Sequence, residues 1–426
     1  MTSYRKRERA LDLGPRPTLK EPYLTPTDAL RAPLRWLEQQ FELNRGAEHN
    51  LRTMEGLRGF AVLLVFFVHY STQVGPWIPV QGATTRISSA LGTNGHAGVD
   101  LFFVLSGYLI YGGLISRYQP FLRFIRRRIQ RIFPAFIAVF LLYIALSVVY
   151  PSQAKIPGTL PHASLFLLEN FLLLPGLFPI VAMIMVAWSL SYEMFFYLAI
   201  PLVITALDLR DWEPQRRVVL FLAVTVLFAT YCAVVGGPVQ LIMFLSGMLL
   251  YETIENRFLP APPSLVAFAF LAGGLLFTLV PVNGSAGFAL KICVLFVSFF
   301  VLCHTCFARP GSVVGAIAAW TPIRWFGNMS YSYYLIHGLS LKAFFLALAI
   351  LLPKSHAYPL LYWVLLVPAF VFTLFPSAAL FLVVERPLSL APALKKKASK
   401  LTGPPAGDMV ARPAAGYPVE PRSTGL

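Results

Sequence analysis

The chain has 426 residues, 57% of them hydrophobic and only 13% charged, with a net charge of +16. A soluble domain carries roughly 25% charged residues, so the composition excludes an ordinary soluble enzyme and points to a polytopic membrane protein whose architecture the bilayer sets. The positive charge collects on one set of loops and so reads as topology rather than nucleic-acid binding, and the four cysteines, all in or beside apolar runs, imply no disulfide framework.

Residues 1–50 read as a polar cytoplasmic tail, weakly ordered or with an amphipathic surface helix between Asp28 and Leu43. No cleavable signal peptide is expected, because the first apolar segment already has full spanning length. Apolar runs and breakers predict about ten transmembrane helices, near 57–74, 98–116, 131–150, 187–207, 217–235, 238–254, 264–282, 287–307, 329–352 and 359–384. With the N-terminus inside, the cytoplasmic loops carry Arg117, Arg123, Arg126, Arg127, Arg128 and Arg131, then Arg210, Arg216 and Arg217, then Arg257, then Arg309 and Arg324. The opposite loops hold little beyond Arg86, Lys155 and Lys354, which predicts N-in, C-in. The segment 164–186 is broken by Glu169, Asn170, Pro175 and Pro179 and reads as an outer loop dipping into the bilayer edge, not a span. The expectation is an all-α integral membrane domain over 51–387, followed by a disordered basic cytoplasmic tail over 388–426.

Ionisable groups inside spans are costly and so are functional candidates. Arg58 and His69 are eleven residues apart, which on a helix puts them on one face about 16 Å apart. Asp100 opens the second span, either to orient the imidazole or bind a hydroxyl, or merely to cap the helix. Ser106-Gly107 suits close helix packing, and Ser106, with Trp188, Ser189 and Tyr197, is also a candidate to line a substrate channel. His96 and Asp100 match a short His/Asp acyltransferase pattern, which is read as coincidence. Arg128 and Arg131 share a helical face, and arginine forks bind phosphate oxygens, so a polyphosphorylated cytoplasmic ligand fits them. Ser189, Glu193 and Tyr197 fall at four-residue spacing, and Glu193 is expected in the outer half of its span beside Trp188, which also reads as an interface anchor. Asn328, Ser330, Tyr333, Tyr334 and His337 make a polar start to the ninth span, lining a channel or gluing helices. Glu385-Arg386-Pro387 reads as a structural ion pair or helix end. Cys303-His-Thr-Cys306 offers three ligands where zinc takes four, so no metal is expected. A Gly-rich phosphate loop, a Gly-x-Ser-x-Gly elbow and a His-Glu-x-x-His pair are all missing, against an ATPase, a serine hydrolase or a zinc protease.

In these motifs the chain resembles the membrane-bound acyltransferase family 3, which includes O-antigen and exopolysaccharide O-acetyltransferases. The matching residues are Arg58 and His69, Gly98-Val-Asp100 through Ser106-Gly107, Arg128-x-x-Arg131-Ile-x-Pro134, Trp188-Ser-Leu-Ser-x-Glu193 with Phe196-Tyr197, Ser330 through His337, and Glu385-Arg-Pro387. Met194 stands where the family often has an acid or Gln. The extracytoplasmic esterase-like domain of many members is not expected here, which suggests a stand-alone form. The resemblance implies a multi-pass bacterial inner-membrane enzyme that moves an acyl group, usually acetyl, from cytoplasmic acyl-CoA to a sugar hydroxyl. Arg58, Arg128 and Arg131 would then hold the CoA phosphates at the cytoplasmic edge. His69 would act as general base or transient acyl carrier, with Asp100 or Glu193 orienting it. No bound cofactor is implied beyond the donor, and the oligomeric state stays open.

Two readings follow. The first is an integral-membrane O-acyltransferase acting on a cell-surface or lipid-linked sugar, such as lipopolysaccharide or exopolysaccharide. The alternative is a transporter or flippase for a lipid-linked saccharide, with His69, Asp100 and Glu193 as a proton relay.

Overall fold

A computed structural model of the protein describes residues 35–43, 49–309, 311–353 and 357–390. Apart from 35–43, 49–50 and 388–390, the two polar tails expected from the sequence lie outside the described residues. Within 1–45, taken by itself, a short helix α1 covers 35–41, inside the stretch expected to be amphipathic.

The main body is all-α, with no strand among the described residues. Its helices are α2 (His49–Val74), α3 (Ala83–Gly95), α4 (Ala97–Ile115), α5 (Phe121–Val149), α6 (Leu160–Phe171), α7 (Ala187–Ala206), α8 (Pro214–Val235) and α9 (Ile242–Glu255). They continue with α10 (Ser264–Thr278), α11 (Gly284–Ala308), α12 (Val313–Ala318), α13 (Thr321–Asn328), α14 (Ser330–Leu351) and α15 (Leu361–Leu380), which runs into a π-helix at Phe381–Leu390. Among the described residues, seven helical stretches are long and apolar enough to cross a membrane: 83–115, 121–149, 187–206, 214–235, 284–308, 330–351 and 361–390. This is a multi-pass membrane protein. With no water in the bilayer to satisfy amides and carbonyls, helices whose backbone bonds are internal are the available solution. Val219, Leu222, Val226, Leu227 and Val234 of α8 are all exposed, as suits lipid-facing positions.

Several elements depart from the hydropathy reading. The span expected at 238–254 is a 3-10 turn, Val239–Leu241, followed by the 14-residue α9, and the one expected at 264–282 is the 15-residue α10. At 1.5 Å per residue each is near 22 Å, shorter than a hydrocarbon core of about 30 Å. The segment 164–186, expected not to be a span, holds the last eight residues of the 12-residue α6, about 18 Å long in all, and a loop that folds back on it. Asn170 fixes that fold: its side chain donates to the carbonyls of Phe166 and Val181 and accepts from the Met183 amide at 2.7 Å. Gly176, at φ 93°, takes the left-handed conformation there, and a Cβ would meet the Trp188 carbonyl oxygen at 2.7 Å.

Two close helix crossings frame the interior. Where α4 meets α9, a Cβ on Gly107 would lie 2.2 Å from the Phe244 oxygen, and one on Gly247 2.1 Å from the Val104 oxygen. Each helix presents its glycine to the other's backbone, the small-residue packing that membrane helices use in place of a hydrophobic drive. Where α2 meets α13, a Cβ on Gly327 would lie 1.7 Å from the Glu55 oxygen. Beside that crossing Arg324 donates to the Glu55 carboxylate at 2.9 and 3.0 Å. A second buried pair, Arg217 forking onto Glu252 at 2.7 and 3.0 Å with Tyr111 donating to the same acid, joins α4, α8 and α9. Breaking such a buried pair costs about 3–5 kcal/mol, because the remaining charge is stranded.

Candidate active site

The helices that carry the arginines begin earlier than the hydropathy suggested. Helix α5 starts at Phe121, not near 131, so Arg128 and Arg131 lie seven and ten residues in, about 10 and 15 Å along its axis. Arg58 is likewise nine residues, about 13 Å, into α2. Hydropathy ends a span where charges begin, whereas the backbone stays helical as long as its carbonyls and amides can pair.

All three arginines line one cavity of about 140 Å³ between α2, α4, α5, α7 and α14. Arg58 Nε donates to Ser330 Oγ at 3.2 Å, tying α2 to the first residue of α14. Arg131 Nη1 bonds Glu385 Oε1 at 2.5 Å, and its guanidinium lies 5.5 Å from the centre of the Tyr331 ring. Glu385 Oε2 accepts from the Ser332 amide at 3.0 Å and its hydroxyl at 2.5 Å. Arg128 has no acid: its guanidinium lies between the rings of Phe124 and Tyr197, at 5.5 and 5.7 Å, and its buried Nε has no hydrogen-bond partner. Buried donors are nearly always paired, which makes this lone Nε at the cavity wall a candidate ligand contact.

Glu193 also faces this cavity, accepting from Ser106 Oγ at 3.1 Å and from the Tyr197 hydroxyl. It therefore stands with the arginines rather than with the imidazole that it was expected to orient. Ser189 and Tyr334 line the same cavity and share a hydrogen bond of 2.6 Å.

His69 does not line the cavity. Its ring packs against that of His337, with centroids 4.8 Å apart and a tilt of 58°. His337 is fully buried and stacks on Tyr333 at 5.1 Å and 9°. Its Nδ1 lies 2.9 and 3.0 Å from the carbonyl oxygens of Tyr333 and Tyr334. Carbonyls only accept, so Nδ1 carries the hydrogen and Nε2 keeps a lone pair. That Nε2 is buried without a partner. The Tyr334 ring lines the cavity and lies 6.2 Å from the His337 ring, so it borders both. The Arg58–Ser330 and His69–His337 contacts, at two levels of the same helix pair, fix α2 and α14 as parallel neighbours.

The other expected site residues lie elsewhere. Asp100 is buried but outside the cavity lining, and no hydrogen bond or ion pair is formed by its carboxyl among the described residues. It shares a helical face with Val104 and Gly107, the positions packed on α9. Trp188 packs edge-on against Tyr192 at 5.6 Å. Asn328 ends α13, buried, and the Tyr333 hydroxyl pairs with Thr373 at 2.9 Å, turned away from the cavity. The sequence reading did not pair His337 with His69, nor Glu385 with Arg131. The available signals were a histidine in the polar start of the ninth span and an acid at the end of the tenth.

The fold and site together are those of a helical membrane bundle with an arginine-lined cavity and a histidine pair next to it. A sequence model described as an acyltransferase domain matches residues 51–382, and the chain belongs to that family, acyltransferase family 3. It is 29% identical over 178 residues to the O-acetyltransferase OatA of Staphylococcus aureus (strain NCTC 8325 / PS 47), covering 38% of this chain and 26% of that protein. It is 25% identical over 320 residues to the "Putative peptidoglycan O-acetyltransferase YrhL" of Bacillus subtilis (strain 168), covering 67% and 47%. An uncharacterised protein of Haemophilus influenzae (strain ATCC 51907 / DSM 11121 / KW20 / Rd) is 36% identical over 142 residues, covering 30% and 56%. The chain thus spans about a quarter to just over half of the length of these relatives. No solved structure matches it.

Proposed function

We propose that this protein is a membrane O-acyltransferase that moves an acyl group, acetyl in the first instance, from cytoplasmic acyl-CoA to a hydroxyl of a cell-surface or lipid-linked saccharide. The observation that carries this reading is the cavity wall formed by Arg58, Arg128 and Arg131, one of them with an unpartnered buried N–H, with Arg58 on the same helix as His69 of the His69–His337 pair. A phosphorylated donor matches the arginine forks. The cavity is too small for all of CoA, so its walls serve one part of the donor, and the remainder extends toward the end of the bundle that carries Arg123 and Arg127. The printed names of the Staphylococcus aureus and Bacillus subtilis relatives support acetyl and a cell-wall glycan as the first pair to test.

The chemistry assigned to His69 is general-base catalysis. Its imidazole takes the proton of the acceptor hydroxyl as the oxygen attacks the thioester carbonyl. The C–S bond breaks, and the thiolate of CoA leaves with that proton. His337 Nε2, fixed as an acceptor and left without a partner, is available to take the other N–H of His69, whose ring packs against it, and so to turn the His69 lone pair toward the substrate. This gives His337 the orienting role that the sequence had suggested for Asp100 or Glu193. Transfer through an acyl-imidazole on His69 uses the same positions. The flippase alternative draws less support, because no hydrogen bond or ion pair among the described residues links His69, Asp100 and Glu193.

The test is thiol release from acetyl-CoA by the protein in proteoliposomes, with mass spectrometry of an added cell-wall oligosaccharide. Acceptor-dependent thiol release matched by a gain of one acetyl per event is expected. Consumption of no acetyl-CoA, or sugar movement without acylation, would refute the reading.

A further inference from the structure

At the end of the bundle opposite the arginines lies a second, larger cleft. It follows Val74, the last residue of α2, sixteen residues or about 24 Å beyond Arg58. His69 lies between the two, nearer the cleft end. The cleft has a volume of about 590 Å³ and runs between α3 and the turn joining α10 to α11. That is the size range of small-molecule sites.

Its lining has a specific chemistry. Thr85, Arg86, Ser89 and Thr93 recur at helical spacing on one face of α3, and Asn283 and Lys291 face them from the start of α11. The opposite face of α3 is fixed to the bundle: a Cβ on Gly95 would meet Leu64 and Val68 of α2, and one on Gly92 would touch Ser71. The polar stripe is therefore not needed for packing. Arg86 is exposed and Lys291 half-buried, and neither forms a hydrogen bond or ion pair among the described residues. No acidic residue is among those lining the cleft. Two unneutralised cations over a row of hydroxyls and an amide match a ligand with its own hydroxyls and a negative charge.

We infer that this cleft docks an anionic saccharide, holding a carboxylate- or phosphate-bearing sugar of the acceptor while a neighbouring hydroxyl is presented for acylation. The inference rests on the acyltransferase reading for its purpose, but not for its test. His69 is not among the residues lining the cleft, so the cleft holds sugars flanking the reacting one. Polymeric or oligomeric acceptors are therefore favoured over single sugars.

The experiment measures binding of a uronic-acid tetrasaccharide, and of its neutral methyl ester, to the full chain in detergent. The variants are Arg86→Glu and the double change Arg86→Glu with Lys291→Glu. Binding of the acidic sugar is expected to weaken at least tenfold in the double variant and partway in the single one. The methyl ester should bind weakly and equally to all three proteins, and the acidic sugar's affinity should fall with added salt. Thiol release from acetyl-CoA without acceptor reports the donor side separately and should not change. Equal binding of the acidic sugar to wild type and double variant, or equal loss for acid and ester, overturns the inference. So does charge-dependent binding of anionic phospholipid vesicles with none of the sugar, which would make the cleft a headgroup site. Sugar binding that persists where no acyl transfer is found would leave the cleft standing and refute the acyltransferase reading instead.

Discussion

Glu385 ties the cavity rim together, and removing it tests that arrangement quantitatively. The acid is fully buried on the π-helix, a distortion that often marks functional sites. It receives Arg131 at 2.5 Å and both donors of Ser332, two residues beyond the Ser330 that holds Arg58. Glu385→Ala strands the Arg131 charge and leaves the Ser332 amide and hydroxyl without their acceptor. A broken buried pair costs about 3–5 kcal/mol. The Arg131 side chain is 23% exposed and regains some solvation, which moves the expectation to about 3 kcal/mol. Glu385→Gln keeps an acceptor for Ser332 and loses only the charge, so its cost should be about half that. Thermal midpoints in detergent should fall in the order wild type, Gln, Ala. The Gln variant also frees Arg131 and should lower the KM for acyl-CoA. An Ala variant that melts with wild type, or a Gln variant no better than Ala, would refute the reasoning.

Further outcomes follow from the same contacts. Arg128→Lys keeps the cation but loses the fork and its unpartnered Nε; a donor hydrogen bond to a charged group of about 1.5–3 kcal/mol converts to a rise in acyl-CoA KM of roughly 10–150-fold, read in steady-state thiol release. His337→Phe keeps the ring volume and removes Nε2; kcat should drop about tenfold or more with donor KM unchanged, and an unchanged kcat would remove His337 from the mechanism. Gly327→Ala places a Cβ 1.7 Å from the Glu55 oxygen, so the α2–α13 crossing must open at a cost of about 1–3 kcal/mol or more, visible as a lower thermal midpoint.

Much of the fold was legible because the bilayer leaves so few solutions. A chain this apolar must be helical, and the helices at 121–149, 187–206, 214–235, 284–308 and 330–351 each contain a span expected from hydropathy, or most of one. The errors share one cause: hydropathy measures side chains, whereas helices end where backbone pairing ends. It began the third span near residue 131, although α5 is already helical from Phe121, and it read the short α9 and α10 as full spans.

The site was legible in its parts and not in its pairings. Spacing on one helix predicts which side chains share a face, as with Arg128 and Arg131, both on the cavity. It cannot say which face of another helix they meet. Glu193 therefore joined the arginines through Ser106 and Tyr197, and His69 found His337, 268 residues away, in place of an acid. Asp100 shows the same limit: its facing depends on α9, which lies against α4 through a glycine crossing that no local pattern reveals.

The central claim is that His69, backed by His337, performs the transfer while the arginine cavity holds the donor. The most direct measurement is the His69→Ala variant, correctly inserted, assayed for acceptor-dependent thiol release beside a separate acyl-CoA binding titration. The account predicts a loss of kcat of about 10²-fold or more with donor affinity unchanged. Acylation of the acceptor at near wild-type rate would contradict it.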